Sequence, residues 1–280
     1  MFSMLRPIDR LKDYILCALT LGTGPRAMCS ILWRETKNIR VRLNLGAYSP
    51  KEVYSLQTIY GLLYFRDNFG DITNLVSLLY HQVYRLRGLS QEGVILDVGA
   101  NIGLAAKWFA HHNPGRSIYC FEPLAANAAL IRLNCPGAKV EQVAVGARRG
   151  RVKLRVDRDS VMASSISCRW ETEEVEFDVI SLDEFAGTRA LEQVALMKID
   201  AEGMEVEILR GCQETLRRTQ QVVMETHSRS LHDDAIGHLR HAGFHIDSEQ
   251  FGVTTGLLFA SCPNERCPAD ALAGRAGVGR

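Results

Sequence analysis

Asp97, Glu122, Asp200, Glu202, Glu225 and His227 each stand in or just after a short apolar run, where folding can gather them at one edge of a sheet. A carboxylate offers two oxygens to a vicinal diol, and a histidine that titrates near neutrality can take up a proton. Glu122 suits the first task, 25 residues beyond Asp97 and at the end of the run Ile118 to Phe121, where ribose hydroxyls meet open α/β sheets. Asp200, Glu202 and His227 are the candidates for a general base, with His227 and Asp200 ranked first. Each has a plainer reading as well. His227 equally suits a structural hydrogen bond, Asp200 a cofactor contact, and Glu202 and Glu205 the start of the helix that follows.

The elements needed to position these groups are legible. Val94-Ile-Leu-Asp-Val-Gly-Ala-Asn-Ile-Gly103 reads as a buried strand, a glycine turn and a helix start, and Ile118 to Phe121 as a second strand. A nicotinamide site shows G-x-G-x-x-G, which seats a pyrophosphate on a helix N-terminus. Here the spacing is Asp97-x-Gly99-x-x-x-Gly103, with Asn101 in place of the second glycine, so a pyrophosphate has less room. S-adenosylmethionine carries no phosphate, and a single turn plus one carboxylate is enough for it. Val194 to Ile199 forms a further strand that delivers Asp200 and Glu202 to a turn at Gly203, and Gln221 to Thr226 delivers Glu225 and His227.

The segments Asp97-Val-Gly-Ala-Asn-Ile-Gly103, Phe121-Glu-Pro123, Ser181-Leu-Asp183, Lys198-Ile-Asp-Ala-Glu-Gly203 and Glu225-Thr-His227 resemble the FkbM-type methyltransferases, in the family's order, from Val94 to about Ala260. Ala201 stands where the family more often has a bulkier aliphatic residue, and Ser181 where it often has threonine. The resemblance implies an α/β, Rossmann-like class I methyltransferase with a seven-stranded, mostly parallel sheet and an antiparallel terminal hairpin. It implies S-adenosylmethionine as cofactor and a hydroxyl of a sugar, glycan or secondary metabolite as acceptor. It also gives Gly99, Asn101 and Gly103 to the methionine side of the pocket. Asp97 is expected to orient the turn and, directly or through water, the cofactor's amino group. Gln142 and Ala144 are assigned to the adenine edge on strand position alone. A divalent ion on Asp200, Glu202 and Glu225 is compatible with the residue types, but no spacing demands one, and no metal is expected.

Two other classes compete. A short-chain nicotinamide oxidoreductase needs a third glycine and a Tyr-x-x-x-Lys pair, and Tyr80-His-Gln-Val-Tyr84 lacks the lysine. Asp97, Glu122, Asp200 and Glu202 standing together speak against a non-catalytic nucleoside-binding module, which product formation alone excludes.

The chain has 280 residues, 46% of them hydrophobic, enough for a sizeable core. With 33 basic and 32 acidic side chains its net charge is +1, so no electrostatic footprint points to nucleic acid. Eight scattered cysteines read as reduced thiols of a cytoplasmic protein, and Cys262 and Cys267 lack a second pair for zinc. Tyr14 to Leu21 follows Arg6, Arg10 and Lys12 but is too short to span a bilayer, which takes roughly 20 residues. Leu5, Ile8, Leu11 and Ile15 recur at helical spacing, so a core-packed or membrane-surface helix is expected.

Residues 1–90 are expected to form a mainly helical appendage, either a lid or a layer on the sheet. Within it we expect a strand from Asn38 to Leu45, a helix at Pro50 capped by Ser49 and Glu52, and a helix from Leu75 to Leu86 ending at Gly88. Residues 91–260 form the main domain, with helices over Ile102 to His112, Leu124 to Asn134, Met204 to Leu216 and Leu231 to Ala242. Val152 to Val156 and Val175 to Ile180 should pair as an antiparallel insertion, whose Arg158, Arg169 and Trp170 are candidates to face an acceptor. Trp108 and Phe109 should pack the first of these helices, and His232, His238 and His241 should share a solvated helix face. Residues 261–280 read as a disordered tail. Nothing indicates an oligomeric state.

Overall fold

The computed structural model describes residues 7–86, 88–90, 92–157, 163–164 and 172–262. It opens with α1 (Pro7–Leu21) and α2 (Pro25–Arg42). The expected strand from Asn38 is instead the end of α2. Ala27, Ile31, Arg34, Glu35 and Asn38 recur at helical spacing and are buried, while Ile39, Leu43 and Leu45 are exposed, so the alternation had no sheet to serve. On α1, Tyr14, Cys17 and Leu21 face the core and Leu11 and Ile15 face outward. The side chains of Leu5 and Ile8 lie outside the described set. Among the described residues no helix is long and apolar enough to cross a membrane.

The expected helix at Pro50 is also overturned. Ser49–Thr58 is β1, and it pairs antiparallel with β2 (Gly61–Asp67) through a turn that needs Gly61 at φ 95°. Tyr54, Leu56 and Thr58 favour a strand, and the cross-strand ladder outweighs a capping box of about 1 kcal/mol. Arg34 of α2 and the backbone N–H of Ser49 both bind the buried Asp67 carboxylate, at 2.7 and 2.8 Å, which fixes the hairpin on the helix. A short helix α3 (Phe69–Asn74), capped by Asn68, runs into a π-helix over Leu75–Tyr80. That segment ends eight residues before Gly88, leaving Tyr84 outside it.

The remainder runs β3 (Val94–Val98), α4 (Leu104–His112), β4 (Ile118–Phe121), α5 (Ala125–Asn134), β5 (Lys139–Glu141), β6 (Ala144–Val145), β7 (Gly150–Asp157), β8 (Ala163–Ser164) and β9 (Thr172–Ile180). It continues α6 (Leu182–Thr188), β10 (Val194–Ile199), α7 (Glu205–Arg210), α8 (Gln213–Leu216), β11 (Thr219–Thr226), α9 (Arg229–His241), β12 (His245–Phe251) and β13 (Gly256–Ser261). A seven-stranded sheet has the order β12-β13-β11-β10-β3-β4-β5, and β13 pairs antiparallel with both β11 and β12. The expected insertion is present as the antiparallel β7–β9 pair. Arg158, Arg169, Trp170 and the tail from residue 263 lie outside the described residues, as do Cys168 and Cys267.

The helix expected over Met204 to Leu216 is broken into α7 and α8. At the break, a Cβ on Gly211 would stand 2.2 Å from the Gly146 carbonyl oxygen. Ser181 caps α6, and the Asp183 carboxylate accepts from the Thr215 and Glu214 backbone N–H groups at the start of α8. The Ser181-Leu-Asp183 motif is thus structural.

Alternating strand residues feed two cores. Ile95, Ile118, Cys120, Leu196 and Val223 pack with α4, α5, α1, the hairpin and the π-helix on one face. Leu96, Val98, Phe121, Met197, Val222 and Met224 pack with α6, α7 and α9 on the other. The N-terminal segment thus completes one face of the sheet. Asn134, fully buried at the end of α5, ties the two together: its side chain exchanges hydrogen bonds with the Tyr64 backbone and donates to the Ile102 carbonyl at 2.7 Å.

Candidate functional site

The chain leaves β3 toward β4 and β5 on one side and later returns to place β10 on the other, so the strand order reverses between β3 and β10. A crevice opens at such a switch point, outside the carboxyl ends of the strands. Two turns meet there. Gly99 has φ 72°, and a Cβ on it would lie 1.7 Å from the Asp200 carbonyl oxygen. No other residue fits. The Gly99 and Ala100 N–H groups both donate to the Phe121 carbonyl at 3.0 and 3.1 Å, and the Asp200 N–H donates to the Val98 carbonyl at 3.1 Å. The glycine turn after β3 and the acidic turn after β10 are therefore held in register by main chain.

A cleft lies against these turns, lined among others by Gly99, Asn101, Glu122, Val143, Ala144, Asp200, Glu202 and Met204. Glu122 is 5% exposed; its Oε2 accepts from the Asn101 N–H at 2.9 Å, and its Oε1 from the Leu124 N–H at 3.0 Å and the Asn127 amide at 3.2 Å. Burial pushes its pKa up to about 7, although all three donors and Lys198 pull the other way. Oε1 has both its lone pairs engaged and Oε2 only one.

Some expected cofactor residues stand away from the cleft. Asp97 is fully buried beneath the turn, 3.0 Å from the Lys198 ammonium, and does not line it. Burial raises the Asp97 pKa against the pull of Lys198. Burial would lower that of Lys198, but Asp97 and Asp200 outweigh it and hold the ammonium charged. Lys198 also donates to the Gly99 carbonyl at 2.7 Å, so the pair shapes the turn from below. Gly103 begins α4 at φ 82°, where its bare Cα admits Ile131. Gln142 points to solvent while Val143 and Ala144 line the cleft, because β5 stops at Glu141 and the chain turns, Val143 N–H to Glu141 carbonyl at 3.0 Å.

Asp200, Glu202 and His227 do come together. His227 Nε2 lies 3.7 Å from Asp200 Oδ1 and 3.4 Å from Glu202 Oε2, and its Nδ1 is 2.7 Å from Oε1 of the fully buried Glu205. Taken one per side chain, the ligating atoms of Asp200, Glu202 and His227 all fall within 4.8 Å of one another, the spacing of a metal-ligand set. Burial alone would lower the His227 pKa, but the Glu205 hydrogen bond and the Glu202 and Asp200 charges raise it to about 10. Burial, with Asp200 adding to it, lifts Glu202 to about 6 and Glu225 to about 7. Tyr84 donates to Asp200 Oδ2 at 3.0 Å, with Glu225 Oε2 3.3 Å from the same hydroxyl.

Three contributors had no role from sequence. Lys198 interrupts a strand that is otherwise apolar and buried throughout, and a buried cation demands a partner on a neighbouring strand. That signal was available. Glu205 read only as a helix start, and Tyr84 could not be placed without the fold. His232, expected on a solvated face, is 2% exposed and lies 2.9 Å from the Thr226 hydroxyl.

The reversed strand order, the glycine turn and the buried carboxylate at the end of β4 define a Rossmann-like α/β enzyme of the methyltransferase class. The methyltransferase FkbM domain matches residues 97–246. The chain belongs to that family and is a methyltransferase. It is 28% identical over 225 residues to the 31-O-demethyl-FK506 methyltransferase FkbM of Streptomyces tacrolimicus, covering 64% of this chain and 85% of that one. It is 29% identical over 161 residues to the 2-O-methyltransferase NoeI of Sinorhizobium fredii, covering 51% and 66%. The crystal structure of methyltransferase FkbM from Methylobacillus flagellatus KT superposes with a TM-score of 0.43 at 14% identity, over 90% of this chain and 59% of that one.

Proposed function

We propose that this methyltransferase moves the methyl group of S-adenosylmethionine onto a hydroxyl of a small-molecule or glycan acceptor. The observation that carries the reading is Glu122, which lines the same cleft as Asp200 and Glu202 and whose Oε2 accepts a single hydrogen bond, from the Asn101 N–H. In this reading the ribose donates to Glu122, the adenine lies along Val143 and Ala144, and the methionine end meets Gly99 and Asn101. Asp97 acts on the cofactor only through Lys198 and the turn. The names of both relatives specify methylation at oxygen, which supports a hydroxyl acceptor.

The reaction is an in-line displacement. A lone pair of the acceptor oxygen attacks the methyl carbon as the carbon–sulfur bond breaks, its electron pair returns to sulfur, and the thioether S-adenosylhomocysteine leaves. The protein's part is mainly positioning, worth up to roughly 7–11 kcal/mol of the barrier. The hydroxyl proton passes to the acidic cluster. Asp200 and Glu202 line the cleft and take it directly, and His227 stands behind them, its Nδ1 held by Glu205 and its Nε2 facing the two cleft carboxylates.

Calorimetric titration with S-adenosylmethionine, followed by labelled methyl transfer to a panel of hydroxylated glycans and polyketides, tests this. We expect binding that Glu122→Ala weakens more than tenfold. Equal affinity in that variant, or NADH binding in its place, removes the proposal.

A further inference from the structure

We propose that Asp200, Glu202 and His227 form a binding site for a divalent metal ion, and that the ion holds the acceptor hydroxyl. The second half rests on the methyltransferase reading, and the first does not. Three elements supply the ligands: Asp200 from the end of β10, Glu202 from the turn before α7, and His227 from the end of β11.

The distances argue for a third body between the groups. A charge-assisted hydrogen bond from imidazole to carboxylate is ~2.7–2.9 Å. His227 Nε2 stands at 3.4 and 3.7 Å from the two oxygens, beyond that range for both. Two ligands each ~2.1 Å from a cation and at right angles to it are ~3.0 Å apart, and opposed ligands ~4.2 Å apart. The two separations from Nε2 lie between these values, and the whole ligand set falls within 4.8 Å, so a cation fits once the side chains draw in around it.

The surroundings are built for ligation as well. The His227 side chain is 9% exposed, and its Nδ1 is fixed on the fully buried Glu205 carboxylate at 2.7 Å. That is the carboxylate–histidine arrangement that sets ring orientation in metal sites, and it leaves Nε2 turned toward Asp200 and Glu202. Asp200 is divided in the same way. Its Oδ2 accepts from Tyr84, and Oδ1 is the oxygen nearest the imidazole. Glu202 reaches the cluster from a backbone at φ 48°, a strained conformation for a residue with a side chain, beside Gly203 at φ 105°. Two carboxylates and one imidazole are a mixed hard and borderline set that suits manganese or ferrous iron better than calcium. Three protein ligands leave positions open toward the cleft that Asp200 and Glu202 line, where an acceptor oxygen can bind.

The test uses the full chain, stripped with a chelator and dialysed, then titrated with Mn²⁺ alone while free Mn²⁺ is followed by electron paramagnetic resonance. We expect about one ion bound per chain, with affinity lowered more than tenfold by Asp200→Asn or Glu202→Gln and on the order of 10–100-fold by Glu205→Gln. Glu207→Gln, at a half-exposed carboxylate of α7 paired with Arg210, should leave it unchanged. Glu202 is partly exposed, so Glu202→Gln should fold, and a thermal melt confirms it. No saturable Mn²⁺ binding, or equal binding in Glu202→Gln, overturns the metal site. S-adenosylmethionine affinity, measured on the same sample, separates the two readings: cofactor bound without Mn²⁺ discards only the metal site, and Mn²⁺ bound without cofactor discards the role given to it.

Discussion

At the scale of single residues, two buried carboxylates divide the work. Glu122 faces the cleft, and its pKa near 7 makes the proposed ribose contact pH-dependent. The ionised form is the better acceptor, so cofactor affinity should fall as pH drops through about 7, and calorimetry between pH 6 and 8 should show a flatter profile for Glu122→Gln. The stability effect has the opposite sign. A carboxyl whose folded pKa lies above its unfolded value binds more protons when folded, so its contribution to stability declines as pH rises from about 4.5 to 7. Asp97 has the other role. Removing its partner in Lys198→Met strands a buried negative charge and should cost about 3–5 kcal/mol in urea denaturation, far more than a surface lysine would. Of these residues, Glu122, Asp200 and Glu202 line the cleft and His227 lies beside it, as their places after apolar runs predict. Asp97 reaches the turn it was expected to orient only through Lys198, and Gln142 points to solvent, because strand position tells which residues reach an edge but not which side chains a turn rotates away.

At the scale of elements, the glycine turn after β3 illustrates how a spacing can be right for a different reason. Gly99 was expected to turn the chain tightly and bring the backbone close to a ligand; the Asp200 carbonyl, 1.7 Å from where a Cβ would stand, already requires it. Gly99→Ala should therefore destabilise the fold by roughly 2–4 kcal/mol, combining overpacking with left-handed strain, and lower the thermal midpoint even without cofactor. Asp183→Ala, which uncaps α8, should cost only about 1–2 kcal/mol and leave cofactor affinity intact. From β3 onward elements were legible because parallel strands buried on both faces are continuous apolar runs with helices between. The hairpin β1–β2 was not, because a local capping signal at Ser49 and Glu52 mimicked a helix start, and only its packing on α2 decides otherwise.

At the scale of the whole molecule, the first ninety residues are not separable from the sheet by packing. Tyr14, Ile31, Phe65, Leu75 and Leu79 share one core with Ile95, Ile118 and Leu196. A chain lacking residues 1–90 should expose that face, lose a cooperative thermal transition and bind a hydrophobic dye; a sharp melt with intact cofactor binding would show the opposite. Asn134→Ala probes the same junction more gently. It leaves the Tyr64 N–H and the Ile102 carbonyl without their buried partner and should cost about 1–3 kcal/mol.

The abutment of Gly99 on Asp200 also limits how such an enzyme can diversify. Because the peptide units after β3 and β10 touch, the gap that the proposed transfer needs between donor and acceptor is set first by backbone and only then by rotamers. Lineages that acquire new acceptors must then do so by recutting the walls around that gap, since widening the gap itself would unseat both halves of the chemistry together.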